Sequence, residues 1–371
     1  MTQVPAPGEV VRAIRIDRPG GGVAFAGYEV PDLEQGEVLL RSAAVGICGS
    51  DVDLLVGGRP DAFTTYPVIP GHEWSAVVAH TGRSASKWSV GDRVAVAALM
   101  GCGECGQCRG GGTNLCEGGY SEFGFTRPGG LAEYVAVPER QLHRLPEALP
   151  LDLGPLLEPT AVMALALRAA PRLCGRTVAV VGDGTLGQLA AQLARVAGAG
   201  NVAMFGMRPD RLILAERLGA DCSFDVAEGQ AAARYRSAVA AGGAEIVFEC
   251  GGSVAAVELA LAVSAKGAHV VLAGVAGYEV SLTVPSDLFV TRSLTVAGVV
   301  GSTTASWGDA GRLAATGRLR LEPLVSHRFG FEHAADAYAV AVAAAPGTRK
   351  VVVTHDGFGD DCTAAGRGSA Q

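Results

Sequence analysis

The chain has 371 residues, 49% hydrophobic and 18% charged, a mixture that excludes a disordered polymer and suits a globular enzyme. Lys and Arg number 30 against 37 Asp and Glu, a net charge of -7, so no clustered positive excess marks a nucleic-acid surface. The length exceeds one ordinary core and predicts two domains.

The opening MTQVPAPGEVVRAIRI carries no apolar leader, and no later run reaches the roughly 18 apolar residues of a membrane span. The expectation is a protein neither exported by a standard signal nor anchored. Of nine cysteines, four cluster, while Cys48, Cys174, Cys222, Cys250 and Cys362 are scattered without pairing signals. That usage points to a reducing cytoplasm.

From Val10 to about Leu157 the signals are short β-type runs (VVRAIRI, EVLLRSAAVG, WSAVVAH, RVAVAAL, AEYVAV) broken by turn residues, which predicts a small all-β unit. Two fragments inside it bear chemistry: GICGSD, with Cys48, Ser50 and Asp51, and PGHEWS, with His72 and Glu73. Downstream, LLEPTAV holds Glu158 before Pro159. Cys, His and Glu supply S, N and O donors suited to Zn²⁺ with a fourth, exchangeable position. Taken singly, such a Cys is more often core and such a Glu a helix start.

Between these fragments, GCGECGQCRGGGTNLCE places Cys102, Cys105, Cys108 and Cys116 with gaps of two, two and seven residues. Such gaps do not close good disulfides in a compact loop, whereas four thiolates surround a tetrahedral ion. The reading is a structural zinc lobe at about 101–117. Its glycines at 101, 103, 106, 110, 111 and 112 are expected to supply backbone angles that only Gly adopts cheaply.

From about Glu158 helices rich in Ala and Leu alternate with β-branched strands, which predicts a parallel sheet covered on both faces. The first strand, TVAVV (177–181), runs into Gly182, Gly184, Thr185, Leu186 and Gly187 of GDGTLG and then into LGQLAAQLARVAG. Leu186, Leu189, Ala190, Leu193 and Ala197 there fall on one helical face. A G-x-G-x-x-G loop between strand and helix fits a dinucleotide, because the glycines let a pyrophosphate approach the helix N-terminus. Further strands are predicted at 201–205, 245–250, 268–275 and 294–300. After about Ser302 come a helix-like WGDAGRLAATGRL, then LVSHRF, FEHAADAYAVAVAA and the strand KVVVTH, expected to return to the first domain. The tail from Asp356, DGFGDDCTAAGRGSAQ, is expected to be disordered. His80, His143, His269, His327, His333 and His355 lack ligand spacing, and Cys250 is expected to pack near a cofactor.

The order Cys48, His72-Glu73, four-cysteine lobe, Glu158 and G-x-G-x-x-G resembles the zinc-dependent medium-chain dehydrogenase/reductase family from about residue 10 to 355. The resemblance implies a GroES-like catalytic domain (1–158 and 303–371) with an inserted Rossmann domain (159–302) and an active site in the cleft between them. It implies hydride transfer between a secondary alcohol and its ketone. A catalytic zinc would sit on Cys48 and His72, with Glu158 innermost and Glu73 its alternate. Ser50 would begin a proton relay. The family usually has a His where this chain has Asp53, so Asp53 or water would complete it. YPVIPGHEWS, LCE and EFGFTRPGG resemble dehydrogenases of aminocyclitols, with Glu122 and Arg127 as candidate polar contacts. Relatives are commonly dimers or tetramers. The alternative is zinc-independent reduction of a conjugated C=C bond in the same fold, and a nucleotide-binding sensor without turnover is a second.

For the coenzyme, the second strand of such a fold usually ends in a carboxylate for the ribose hydroxyls. Here that position, nineteen after Gly187, is Gly206, followed by Arg208 and Arg211. Guanidinium groups suit a 2′-phosphate, and G-x-R-P resembles NADP-dependent secondary alcohol dehydrogenases. The expectation is NADP(H) rather than NAD(H).

Overall fold

The computed structural model describes residues 4–278 and 280–358, and most of the tail from Asp356 lies outside them. The chain divides into two compact units. One comprises residues 1–158, 302–316 and 325–371, the other 159–301 and 317–324.

The first unit is built on the strand Glu37–Ile47, buried at every position except Arg41. An apolar run of this length needs cover on both faces, and neighbours on both edges satisfy its backbone groups. Its sheet runs, by strand, Val325–Gly330, Lys350–Thr354, Glu37–Ile47, Glu73–Thr81, Arg93–Val96, Leu142–Arg144, with Tyr134–Pro138 also paired to Glu37–Ile47. All pairs are antiparallel except Val325–Gly330 with Lys350–Thr354. A separate hairpin joins Val10–Arg15 to Ala24–Glu29. The core gathers Val38, Leu40, Val45, Trp74, Val94, Leu131, Phe331, Tyr338 and Val351.

The second unit is a six-stranded sheet in the order Cys222–Asp225, Asn201–Gly206, Thr177–Val181, Ala244–Glu249, Ser264–Leu272, Thr295–Gly298. Every neighbouring pair is parallel. The order reverses beside Thr177–Val181, the switch point of a Rossmann sheet, where ligands bind at the carboxyl ends of the strands. Cys222–Asp225 escaped the sequence reading because CSFD is short and half polar. The helix Thr185–Val196 is buried on more than the predicted face, since Gln188 and Gln192 are buried too. Their amide N–H groups donate to the carbonyls of Asp183, Arg211 and Arg320, and the Gln192 oxygen accepts from the Arg320 N–H. That clasp, with buried Leu319 and Leu321, holds residues 317–324 in this unit rather than in the first. No helix among the described residues is long and apolar enough to cross a membrane.

Candidate functional site

Three neighbouring strands of the first unit bring distant residues to one end of the sheet. Cys48 follows the end of Glu37–Ile47 and caps the helix Gly49–Val56, His72 precedes Glu73–Thr81, and Lys350 begins Lys350–Thr354. One ligand atom each from Cys48, His72 and Glu73 lies within 4.8 Å of the others. The donor set, one S, one N and one O, fits a zinc ion with an open position.

Two residues that the sequence reading gave no role fix this set. Asp51 is fully buried, accepts from the Cys48 N–H at 2.9 Å and lies 3.2 Å from His72 Nδ1. It thereby holds the proton on Nδ1 and leaves Nε2 available to a cation. Burial pulls the His72 pKa down, but Asp51 and Cys48 outweigh it and hold the imidazole well above its ordinary range. Lys350 Nζ donates to both oxygens of Glu73, at 2.9 and 2.6 Å, and to the Ile47 carbonyl at 3.3 Å. Gly46 faces Glu73 across the strands because a Cβ there would lie 2.6 Å from Glu73 Oε2.

Glu158, expected innermost, is half-buried near the start of the helix Leu157–Ala169 and is not among the three converging donors. It still faces the same charges. Burial pushes its carboxyl up to about 8, with His72 and Lys350 opposing and Glu73 and Glu122 adding. Ser50 and Asp53 share one side of the helix Gly49–Val56, three residues apart.

The loop EFGFTRPGG packs onto PGHEW as one body. Gly129, Gly130 and Leu131 donate backbone bonds to Ile69, Gly71 and Pro70. Gly124, at φ +86°, has no room for a Cβ, which would lie 2.9–3.0 Å from the backbone of Gly71 and His72. The loop sets Phe125 against His72, with ring centroids 4.8 Å apart. Glu122 points inward, 3.4 Å from Arg59, whereas Arg127 is exposed and bonds to Ser121.

In the lobe the four sulfurs of Cys102, Cys105, Cys108 and Cys116 also lie within 4.8 Å of one another. Cys102 and Cys108 are 4.0 Å apart at sulfur, far beyond a disulfide bond. Backbone N–H groups of Cys102, Glu104, Cys105, Cys108 and Gly118 point at these sulfurs. The Cys108 N–H, first among several bonds, draws the Cys105 thiol down to about 6. At Cys108 a Gly103 N–H favours the thiolate, but burial and the neighbouring sulfurs push the thiol up to about 12. Backbone N–H groups thus favour the thiolate at part of the set, and a divalent cation would favour it at all four sulfurs. Among the lobe glycines only Gly103 and Gly111 have positive φ. Gly101 is required instead by close approach, since its Cβ would lie 2.7 Å from Cys108 Sγ.

The glycine loop of the second unit fits a dinucleotide. Gly182 has φ +112° and abuts Cys250 and Gly251, and a Cβ on Gly187 would lie 1.8 Å from the Gly182 carbonyl. A Cβ on Gly184 would meet no protein atom within 4 Å, which leaves open the face where a pyrophosphate would meet the helix Thr185–Val196. Thr185 and Leu186 open that helix. Gly206 has a different cause from the one expected. Asp183 Oδ2 occupies the space, 2.4 Å from where a Cβ would stand, and accepts from the N–H groups of Met207 and Arg208. A carboxylate is therefore present at the end of this strand, supplied by the glycine loop, with Arg211 Nη1 3.4 Å from its Oδ1.

A family model described as alcohol dehydrogenase GroES-like domain matches residues 34–147, and one described as zinc-binding dehydrogenase matches 185–316. Sorbitol dehydrogenase of Bacillus subtilis (strain 168) is 32% identical over 260 residues, 69% of this chain and 73% of its own length. The chain belongs to the zinc-dependent medium-chain alcohol and polyol dehydrogenases. This is a family of oxidoreductases. Among solved structures, a zinc-binding dehydrogenase of Sinorhizobium meliloti 1021 bound to NADP superposes with a TM-score of 0.86 at 30% identity, over 93% of this chain and 99% of that one. An alcohol dehydrogenase (rspB) of E. coli CFT073 complexed with NADH reaches 0.85 at 25% identity, over 94% and 100%. Similar proteins thus hold either coenzyme.

The Glu73–Lys350 pair is buried on both sides, so removing one partner leaves an uncompensated charge. Lys350→Met is expected to lower stability by about 3–5 kcal/mol, and adding Glu73→Gln to recover most of it. Urea unfolding of the single and double variants checks this, and an additive double variant would contradict the pairing.

Proposed function

We propose that the chain interconverts a polar secondary alcohol and its ketone, with a cyclitol or aminocyclitol ahead of open-chain polyols, using NADP(H) and zinc at two sites. The observation that carries the reading is the convergence of Cys48, His72 and Glu73 with His72 oriented by Asp51. A zinc ion there would polarise the alcohol oxygen. Cys48 and His72 would hold it. Glu73, shared with Lys350, and Glu158 alternate as the carboxylate. Ser50 takes the hydroxyl proton, and Asp53, three residues along the helix, passes it to solvent. The lobe cysteines Cys102, Cys105, Cys108 and Cys116 would hold a structural ion, because four thiolates leave no position for substrate. Reduction of a conjugated C=C bond would leave the donor set without a purpose.

Purified protein given a panel of cyclitols, aminocyclitols, polyols and a long apolar alcohol tests the reading through nicotinamide absorbance. Turnover of the cyclic polar alcohols is expected, and a preference for the apolar one would refute it. His72→Ala should abolish turnover while the fold persists, whereas Cys105→Ser should lower zinc content and melting temperature together.

NADP(H) is supported by Arg208 and Arg211 after the second strand, and by Asp183 being engaged with two backbone N–H groups and Arg211. Gly206, with no carboxylate of its own, belongs to the same site. Wild type should favour NADPH over NADH in kcat/KM by about tenfold or more, about 1.4 kcal/mol, and Arg208→Ala should erase the preference. Gly206→Asp is not a clean test, since its Cβ would collide with Asp183. An NADH preference in wild type would overturn the assignment.

The described cysteines form no disulfide, which supports the cytoplasm. Among the described residues the strand Thr295–Gly298 pairs on one side only, and Val290 and Val296 near it are 80% and 39% exposed. An open apolar edge invites pairing, and a second copy of the chain is the proposed occupant. Sedimentation should give a dimer or tetramer that Val296→Lys weakens, and a wild-type monomer would dismiss it.

A further inference from the structure

Asp183 stands on the glycine loop, yet its side chain reaches the end of the neighbouring strand Asn201–Gly206. It is buried, and its Oδ2 accepts from the N–H groups of Met207 at 2.7 Å and Arg208 at 2.8 Å. Oδ1 lies 3.4 Å from Arg211 Nη1. The Cβ that Gly206 lacks would lie 2.4 Å from Oδ2, and the three nearest atoms to it all come from this one side chain. Gln188, also buried, adds a second tie, since its amide N–H groups donate to the Asp183 and Arg211 carbonyls at 3.2 and 2.8 Å. The turn of residues 207–211 is therefore held by the glycine loop and its helix, and it carries both arginines that follow the second strand. In a Rossmann sheet a carboxylate at this strand end turns its oxygens to the adenosine ribose hydroxyls. Here the carboxylate at that place turns both oxygens to the protein.

We propose that Asp183 is a positioning residue for coenzyme choice: it fixes the backbone that presents Arg208 and Arg211 to the 2′-phosphate of NADP(H), while its own oxygens are withheld from the ribose. This role rests on the NADP(H) reading above. Met207 and Arg208 are held at their N–H groups, so the direction in which the Arg208 side chain leaves the backbone is set before the coenzyme arrives. A turn ordered in advance loses less freedom on binding. The side chains of Arg208 and Arg211 are 24% and 20% exposed, enough for a guanidinium edge to meet an anion from solvent. A carboxylate with free oxygens at this place would do the opposite, binding ribose hydroxyls and repelling a phosphate dianion. The two N–H groups and Arg211 offset the charge of Asp183, so an acidic residue here serves the phosphate-bearing coenzyme.

The experiment measures, by calorimetry on the purified protein, the dissociation constants of adenosine 2′,5′-bisphosphate and 5′-AMP, coenzyme fragments that differ only in the 2′-phosphate. Neither requires an alcohol or turnover. Wild type should bind the bisphosphate about tenfold or more tightly than 5′-AMP. Asp183→Ala, which removes the acceptor of both N–H groups, should lower that ratio about tenfold by weakening the bisphosphate, with 5′-AMP changed less than about threefold. Asp183→Asn keeps an oxygen for the N–H groups and should retain most of the ratio. Asp183→Gly combined with Gly206→Asp moves the carboxylate onto the strand and removes the atoms it would strike. That exchange should invert the preference toward 5′-AMP, and it carries the test if Asp183→Ala fails to fold. An unmoved ratio in Asp183→Ala, an equal weakening of both fragments, or an exchange variant that still prefers the bisphosphate would overturn the proposal. A ratio that rises in both Asp183→Ala and Asp183→Asn would overturn it too, by showing that the carboxylate acts on the phosphate directly. Wild type that binds 5′-AMP as tightly as the bisphosphate would overturn the NADP(H) reading and this role with it.

Discussion

The buried ion pair between Glu73 and Lys350 is the constraint on which the site depends. It closes one end of the sheet by linking the strands Glu73–Thr81 and Lys350–Thr354 across the strand that lies between them. The intervening residue is Gly46, and only its missing side chain lets the carboxylate lie there. Burial pulls the Lys350 pKa down, but Glu73 more than restores it and keeps the ammonium charged. Cys48 and His72 sit at the adjoining strand ends, so their positions follow from the same sheet register. Glu73 is thus shared between a fixed cation and the open donor set.

Around this pair the charges are graded. Asp51 is held below its ordinary range, because His72 and the Cys48 N–H outweigh the cost of burial. Glu122 is raised, since burial outweighs the pull of His72 and Arg59. Carboxylates a few residues or strands apart therefore take different protonation tendencies from their surroundings. Phe125 packs against both the His72 ring, with centroids 4.8 Å apart, and the Arg59 guanidinium, 3.7 Å from its centroid.

The glycines divide by physical reason. Gly182, Gly103 and Gly111 are needed for backbone angle, while Gly187, Gly101 and Gly46 are needed because another atom occupies the side-chain space. Gly184 belongs to neither group, since a Cβ there would meet no protein atom within 4 Å. Gly206 looked like the absence of a carboxylate and is in fact the seat of one, that of Asp183.

The two-unit plan, the four-cysteine cluster, the glycine loop and the candidates Cys48 and His72 were legible in the sequence, because each rests on local spacing or on periodicity within one element. Five of the six strands of the parallel sheet were legible for the same reason, and the short polar strand Cys222–Asp225 was not. Tertiary structure alone decided what depends on register between distant strands. Lys350 is 277 residues from Glu73, and nothing near either position announces the pair. Arg59, in VGGRPD, reads as an ordinary turn residue until the loop of residues 120–127 folds Phe125 beneath it. The three donors that converge, Cys48, His72 and Glu73, were likewise decided by the sheet, whose strand ends place Glu73 beside the other two while Glu158 approaches from a helix. Chain order names the candidates, but distances between side chains are set by packing, and packing is not written at any single position.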